Sequence, residues 1–439
     1  MKNPILILLL TFLFFSVNSQ NVISINIKAN KLQFDSKRNK IYASINGLDV
    51  THGNSLVKLN PLTGAIEKSI YVGSEPAELA LTKDTNYLYI AFDGASFVKR
   101  VSLDSFVVDR TVSIGTNSLG ALFAQDIATV KQSADLIVVA RKNTASSPIH
   151  AGVAAYYKGI KLPGETPGHT GSNAIESAND SNFVVGFNTE STESGVRKMT
   201  IDSISGVTLI STTPNLPMGR NIEYHDRLIY ASSGKVLDPF TSPPTIVGTC
   251  QLGIGGSFNY NAVEADIKTN MIYFCSAQNS LSIKYYKLQT YSFVNDTILP
   301  NAFPVNFQLP ESVDLIRYGS NGIGVIVREN YFTNQERRVV LSSLETAVGF
   351  SEYTMASEPL QMKPNPTNSS FQIDNKKIRY VEITDMTGSS IYSQNVSPEQ
   401  EIWIDLKLLG ACEGLYIIRA LNQQGVVSYG KIIYSMQFH

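Results

Sequence analysis

The chain is poor in the residues that most site chemistries need: among 439 residues there are three cysteines, one tryptophan and five histidines. No Cys-x-x-Cys is present, which excludes haem c attachment and thiolate zinc sites of that spacing. The histidines, His52, His150, His169, His225 and His439, are far apart and form no His-Glu-x-x-His; His150 and His169 flank one long connection and read as solvated loop residues, the alternative being a meeting at a channel mouth. Gly255-Gly256-Ser257-Phe258-Asn259 lacks the closing glycine of a nucleophile elbow. Gly234-Lys235 is followed by Val236 and lacks the upstream glycine of a phosphate loop. Charge of one sign is missing too: 36 basic residues face 37 acidic ones, a net charge of −1, so no bulk field would hold nucleic acid. Only 17% of residues are charged while 43% are hydrophobic, which excludes a disordered chain. After residue 20 no stretch keeps a 3.6-residue apolar period with caps, so helices are not expected.

The one long apolar run lies at the N-terminus. Lys2 precedes Ile5 to Phe15, and Val17 and Ser19 supply small residues before Gln20. This is the pattern of a secretory signal over residues 1–19, too short to span a bilayer as a permanent helix. An exported chain with three cysteines leaves one over. A bridge between Cys250 and Cys275 stays open, with Cys412 alone in the tail.

Between residue 20 and about residue 352 the chain repeats. β-rich cores centred on Tyr42, Tyr89, Val138, Val185, Tyr230, Tyr273 and Val325 recur 43 to 52 residues apart. That period fits stacked four-stranded units. In the clearest unit, Leu56-Val57-Lys58-Leu59 leads through Asn60-Pro61-Leu62-Thr63-Gly64 to the next strand, a turn in which Pro sets φ and Gly accepts a positive one. Val22 to Ile27 alternates cleanly and is expected to pair with Arg338-Val339-Val340-Leu341, closing the ring and removing its exposed edges. The repeat resembles YVTN-type propellers, which implies an all-β, seven-bladed β-propeller over residues 20–352. The connections Arg141 to Val153 and Gly234 to Thr249 read as long loops suited to contact.

A linker over residues 353–362 leads to a tail of different character. Lys363-Pro364-Asn365-Pro366, Phe371-Gln372-Ile373, Asp385-Met386-Thr387-Gly388, Ile404-Asp405-Leu406, Gly414-Leu415-Tyr416 and Lys431-Ile432-Ile433 mark short strands separated by Pro, Asn and Gly turns. The expectation is a small Ig-like antiparallel β-sandwich over residues 363–439. The segment resembles the C-terminal sorting domain of the type IX secretion system. That resemblance implies export through a Sec signal, handling by the type IX machinery, trimming near Ser357-Glu358-Pro359, and release or attachment at the outer-membrane surface.

One feature recurs where each innermost strand would enter a central channel: Glu78, Asp126, Asn173 with Glu176, Asn221 with Glu223, Asn261 with Glu264, and Asp314. The first unit has Lys31 near the equivalent place. Inner strands face the axis, so these groups would converge into a ring of acids and amides. Oxygen-rich rings suit calcium. The Asn-x-x-Glu pieces resemble the ligand sets of calcium-dependent lactonases and esterases, which implies a cation-dependent hydrolase or lyase as one reading. In another reading the same residues are ligand-binding candidates and the propeller binds a protein, glycan or small molecule without catalysis; in a purely structural one the asparagines serve turns and the acids bond backbone N–H groups between blades.

Overall fold

The computed structural model describes residues 22–168, 172–177, 182–188, 195–216, 218–252, 260–277, 281–299, 311–328, 336–344, 360–374, 378–385, 390–396, 401–422 and 427–435. The signal segment 1–19, the turn residues Met386 to Gly388 and the expected trimming site lie outside them. The chain forms two compact units, residues 1–346 and 347–439.

The first unit is built from antiparallel four-stranded groups laid down in chain order. They begin with Ala29–Asp35, Lys40–Ile45, Ser55–Leu59 and Ile66–Tyr71, then Pro76–Leu81, Tyr87–Phe92, Phe97–Ser102 and Val107–Ser113. The third group is Phe123–Val130, Ser133–Lys142, His150–Tyr157 and Ile160–Glu165, and the fourth Ala174–Ser177, Phe183–Asn188, Gly195–Asp202 and Gly206–Pro214. A single parallel bridge, Gly164 to Gly206, merges these two into one eight-stranded sheet. The fifth is Ile222–His225, Leu228–Ala231, Lys235–Asp238 and Thr245–Thr249, and the sixth Tyr260–Asp266, Met271–Ser276, Leu281–Lys287 and Phe293–Leu299. The last joins Glu311–Tyr318, Gly322–Arg328 and Arg337–Ser343 to the N-terminal strand Val22–Ile25. There Ile23 pairs with Leu341 and Ile25 with Val339, as the alternation of Val22 to Ile27 led one to expect.

The innermost strands neighbour one another in succession, and Glu311–Tyr318 comes back to Ala29–Asp35. Second strands are buried on both faces, Phe183–Asn188 throughout, which is why they appear in the sequence as unbroken β-branched and aromatic runs. Outer strands such as Val107–Ser113 alternate between exposed and half-buried. The core therefore lies between adjacent groups. Leu32, Ile41 and Val57 of the first meet Ile326, Val339 and Leu341 of the last, with Ile23 and Ile25 packed alongside.

Two sequence expectations need correction. Gly234 to Thr249 is not a long loop: Lys235–Asp238 and Thr245–Thr249 pair as a hairpin, the Pro- and Ser-rich stretch being confined to its turn. His150 opens a strand and is buried rather than solvated, because its neighbours Ala151 to Ala155 carry it into the sheet. His169 lies outside the described residues. Cys250 and Cys275 are separate buried thiols, and burial pushes the Cys250 thiol up to about 12.

The second unit is a pair of small sheets. Gln361–Lys363, Ser370–Asp374 and Ile402–Asp405 form one, and Ser390–Asn395, Ile378–Thr384, Gly414–Asn422 and Val427–Tyr434 the other. Phe371, Ile404, Val381, Ile383, Ile418 and Ile432 share their core. Asn365 ties the start of this unit to its end: its Nδ2 donates to the Lys431 carbonyl at 2.6 Å and its Oδ1 accepts from Ile433 N–H at 3.1 Å.

Candidate functional site

Backbone irregularities set the aim of the inner side chains. Register shifts fall between Ala29 and Lys31, Ala124 and Asp126, Tyr260 and Ala262, and Ser312 and Asp314, at or just before the charged residue in question. Such bulges turn a side chain away from its regular alternation. The result is a cavity of about 490 Å³ lined by every inner strand. Glu78, Asp126, Asn173, Glu176, Asn221, Glu223, Glu264 and Asp314 all line it. Asn261 belongs to the strand Tyr260–Asp266, but its side chain is outside the described residues.

The carboxylates divide by length. The two aspartates bond backbone across the gap between groups. Asp314 Oδ2 accepts from Leu32 N–H at 2.7 Å, linking the last group to the first. Asp126 accepts from its neighbour Ile127 and, at 2.7 Å, from Ile175 N–H of the following group. Ser44, Thr129, Ser177 and Ser312 continue this lacing by donating to carbonyls of Ala77, Leu81, Thr129 and Cys275. Asn221 Oδ1 accepts from the N–H of the next residue, Ile222. The glutamates, one methylene longer, face the cavity instead.

Two lysines enter among these acids. Lys31 Nζ lies 3.0 Å from Asp314 and 3.6 Å from Glu78. Burial alone would lower the Lys31 ammonium, but Asp314, Glu78 and Glu223 outweigh it and hold it well above the ordinary lysine value. One ammonium cannot neutralise both near carboxylates. Asp314 is nearer, and Glu78 is raised by burial and by Asp314 despite the pull of Lys31. Burial, then Glu223 and Asp126, raise Glu176 well above the carboxylate range; burial, then Glu223 and Asp314, do the same for Glu264. Glu223 is pushed up to about 7, chiefly by burial. Burial and Glu78 push Asp126 up to about 8 against its two N–H bonds.

Burial and the crowding of like charge thus favour proton retention among these carboxyls. Among the described residues no three carboxylate, histidine or thiol groups converge as a metal cluster. Among the charged lining residues, sequence reasoning did not single out Lys83, Arg220, Arg317 and Arg328 as site residues. A faint signal existed for Arg328, a charge closing the apolar run Gly322 to Val327; Lys83 follows the end of its strand, where position says little.

Comparison with known proteins bears on the two units separately. Residues 361–435 match the family of secretion system C-terminal sorting domains. None of the curated proteins matches the chain. Among solved structures, the chain is similar to Kuenenia stuttgartiensis hydrazine synthase at 12% identity and a TM-score of 0.52, over 76% of this chain and 99% of the other. It is also similar to the β-propeller domain of Cps50 (Swd1) from Myceliophteria thermophila at 11% identity and a TM-score of 0.51, over 74% and 100%. At such identities the likeness is one of fold. The protein is an all-β chain with a β-propeller fold, and its C-terminal segment is a type IX sorting domain that directs it to the cell surface or beyond.

Proposed function

We propose that the protein is an exported propeller of seven blades that binds a ligand in its axial cavity without transforming it. Five four-stranded sheets and the two halves of the eight-stranded one support that blade number, and the spacing of the repeats supports kinship with YVTN-type rings. Residues 1–19 serve as the Sec signal and residues 363–439 engage the type IX machinery. Within the described residues no helix is long and apolar enough to cross a membrane.

The observation that carries the binding reading is the use made of the acids. Asp126 and Asp314 are spent on joining neighbouring inner strands, while Glu176, Glu223 and Glu264 face a polar, preformed cavity. A preformed concave site whose polar groups are held in place by the strands favours recognition. The test is to probe glycan and peptide arrays with the full chain and with a Glu176→Gln, Glu264→Gln variant; a ligand held by the first and lost by the second is expected. Calorimetric titration with calcium addresses the cation-dependent alternative. Heat at millimolar calcium, with ester or lactone turnover lost in the same variant, would replace binding by hydrolysis.

A further inference from the structure

Two neighbouring inner strands are joined by an imidazole. His225, the last residue of the strand Ile222–His225, accepts through Nε2 from the N–H of Ile267 at 3.0 Å. Ile267 follows the inner strand Tyr260–Asp266, so the bond crosses from the fifth group to the sixth. Asp126 and Asp314 make comparable links elsewhere in the ring, but with carboxylate oxygens. An imidazole nitrogen accepts only while it lacks a proton, so this joint requires a neutral His225 whose proton sits on Nδ1. The strands it ties are those that bring Glu223 and Glu264 to the cavity.

The surroundings offer a charged His225 other partners. Burial lowers its pKa from the ordinary 6.5, while Asp226 and Asp266 pull the other way. Asp226 lies in the two-residue turn to Leu228, where it and Arg227 both have positive φ, 45° and 66°. Arg227 stands over the Phe240 ring at 3.8 Å. Asp266 ends the sixth inner strand and accepts from Arg317 Nε at 3.3 Å and from Lys268 N–H at 2.9 Å. Of the strands packed against that of His225, Leu228–Ala231 has no charged residue, Tyr260–Asp266 adds Glu264, and Ala174–Ser177 adds Glu176. Those two glutamates line the cavity with Glu223. Protonation would therefore turn the acceptor of Ile267 N–H into a donor that two carboxylates favour.

We propose that His225 makes the seam between the fifth and sixth groups acid-sensitive: on protonation the imidazolium leaves Ile267 N–H for Asp226 or Asp266, and the cavity wall formed by these two strands loosens. The direction follows from linkage. The unfolded chain takes up this proton more readily than the folded one, so the joint contributes fully above the ordinary histidine value and is lost as pH falls through the lowered folded one. The cavity glutamates act in the opposite sense, since their raised values stabilise the fold as pH falls. A loosening in acid cannot come from them.

Amide hydrogen exchange of the full chain, read at single amides by mass spectrometry and corrected for the intrinsic rate at each pH, tests this. Protection at Ile267 is expected to fall roughly tenfold from about pH 7.5 to about pH 4.5, the scale of one net hydrogen bond. Leu32 N–H, whose acceptor is Asp314 Oδ2, is the reference and should keep its protection. His225→Gln replaces the imidazole by an amide that does not titrate, so protection at Ile267 should no longer change with pH. If that variant does not fold by circular dichroism, the parent series decides by itself. Protection at Ile267 that tracks Leu32 down to the lowest pH, or an acid loss that persists in His225→Gln, would overturn the switch.

Discussion

A single methylene decides what a carboxylate does at this axis. Asp314 is buried and reaches both Leu32 N–H and Lys31, so its loss would orphan a backbone donor and leave Lys31 only its more distant partner Glu78 at 3.6 Å. Asp314→Ala is expected to cost about 3 kcal/mol, as for breaking a buried pair; adding Lys31→Met should restore only part of it in denaturant melts, since Leu32 N–H still lacks its acceptor and Glu78 loses its cation. The glutamates act through pH. Their folded pKa values are raised above an unfolded value of about 4.3, Glu223 to about 7, with Glu176 and Glu264 also raised well above their ordinary value. The folded state therefore binds more protons than the unfolded one in this window. Stability from these groups is complete below about pH 4 and is lost as pH rises, for Glu223 through about 7. Tm should fall between pH 5 and 9, and Glu223→Gln with Glu264→Gln should flatten that slope. The recurrence of acids at unit starts was visible in the sequence. Their division into backbone partners and cavity groups was not, because it depends on how far the next strand lies, which no local pattern encodes.

At the scale of elements, one turn recurs and carries the joints between groups. Asn60 to Gly64, Ser102 to Phe106, Asp202 to Gly206 and Lys287 to Tyr291 each end on a residue with positive φ. In three of them its N–H bonds back to the first residue's carbonyl, at 2.9, 2.7 and 2.9 Å for Gly64, Phe106 and Tyr291. That last residue packs on the preceding group. A Cβ on Gly64 would meet Ile23 Cγ2 at 2.7 Å, and one on Gly206 would meet the Gly164 carbonyl at 2.6 Å. Phe106 instead stacks on Tyr42 at 5.9 Å, and the Tyr291 ring lies where a Cβ on Gly248 would be. Glycine or a large aromatic can thus occupy one position, depending on whether the joint is tight or hollow. Asn-Pro-x-Thr-Gly disclosed the turn at residue 60. Phe106 and Tyr291 hid it elsewhere, since aromatic residues seldom adopt positive φ. Gly64→Ala meets both strain and overlap and should cost roughly 1–3 kcal/mol in urea unfolding. Phe106→Ala empties a filled joint and should cost about 3 kcal/mol or more.

For the whole molecule, stability turns on the ring closing through its first strand. Val22–Ile25 is the outer strand of the last sheet, and its Ile23 and Ile25 also meet Gly64 of the first group. A chain shortened through residue 26 would keep every other strand pairing yet leave Arg337–Ser343 as a bare edge and uncover apolar surface beside Leu341 and Val339. Two partly buried isoleucines at about 1.5–3 kcal/mol each when fully buried set the upper scale of the loss. At 2–4 °C per kcal/mol, a fall in Tm of up to about 6–24 °C follows. The bare edge adds a second signature: an unpaired strand invites the same strand of another copy. Size-exclusion chromatography of the shortened chain should therefore show dimers or larger species where the full chain gives one peak, and a peptide of residues 20–27 added in excess should restore both the peak and Tm. A shortened chain with unchanged Tm and elution would mean that the ring holds without its latch.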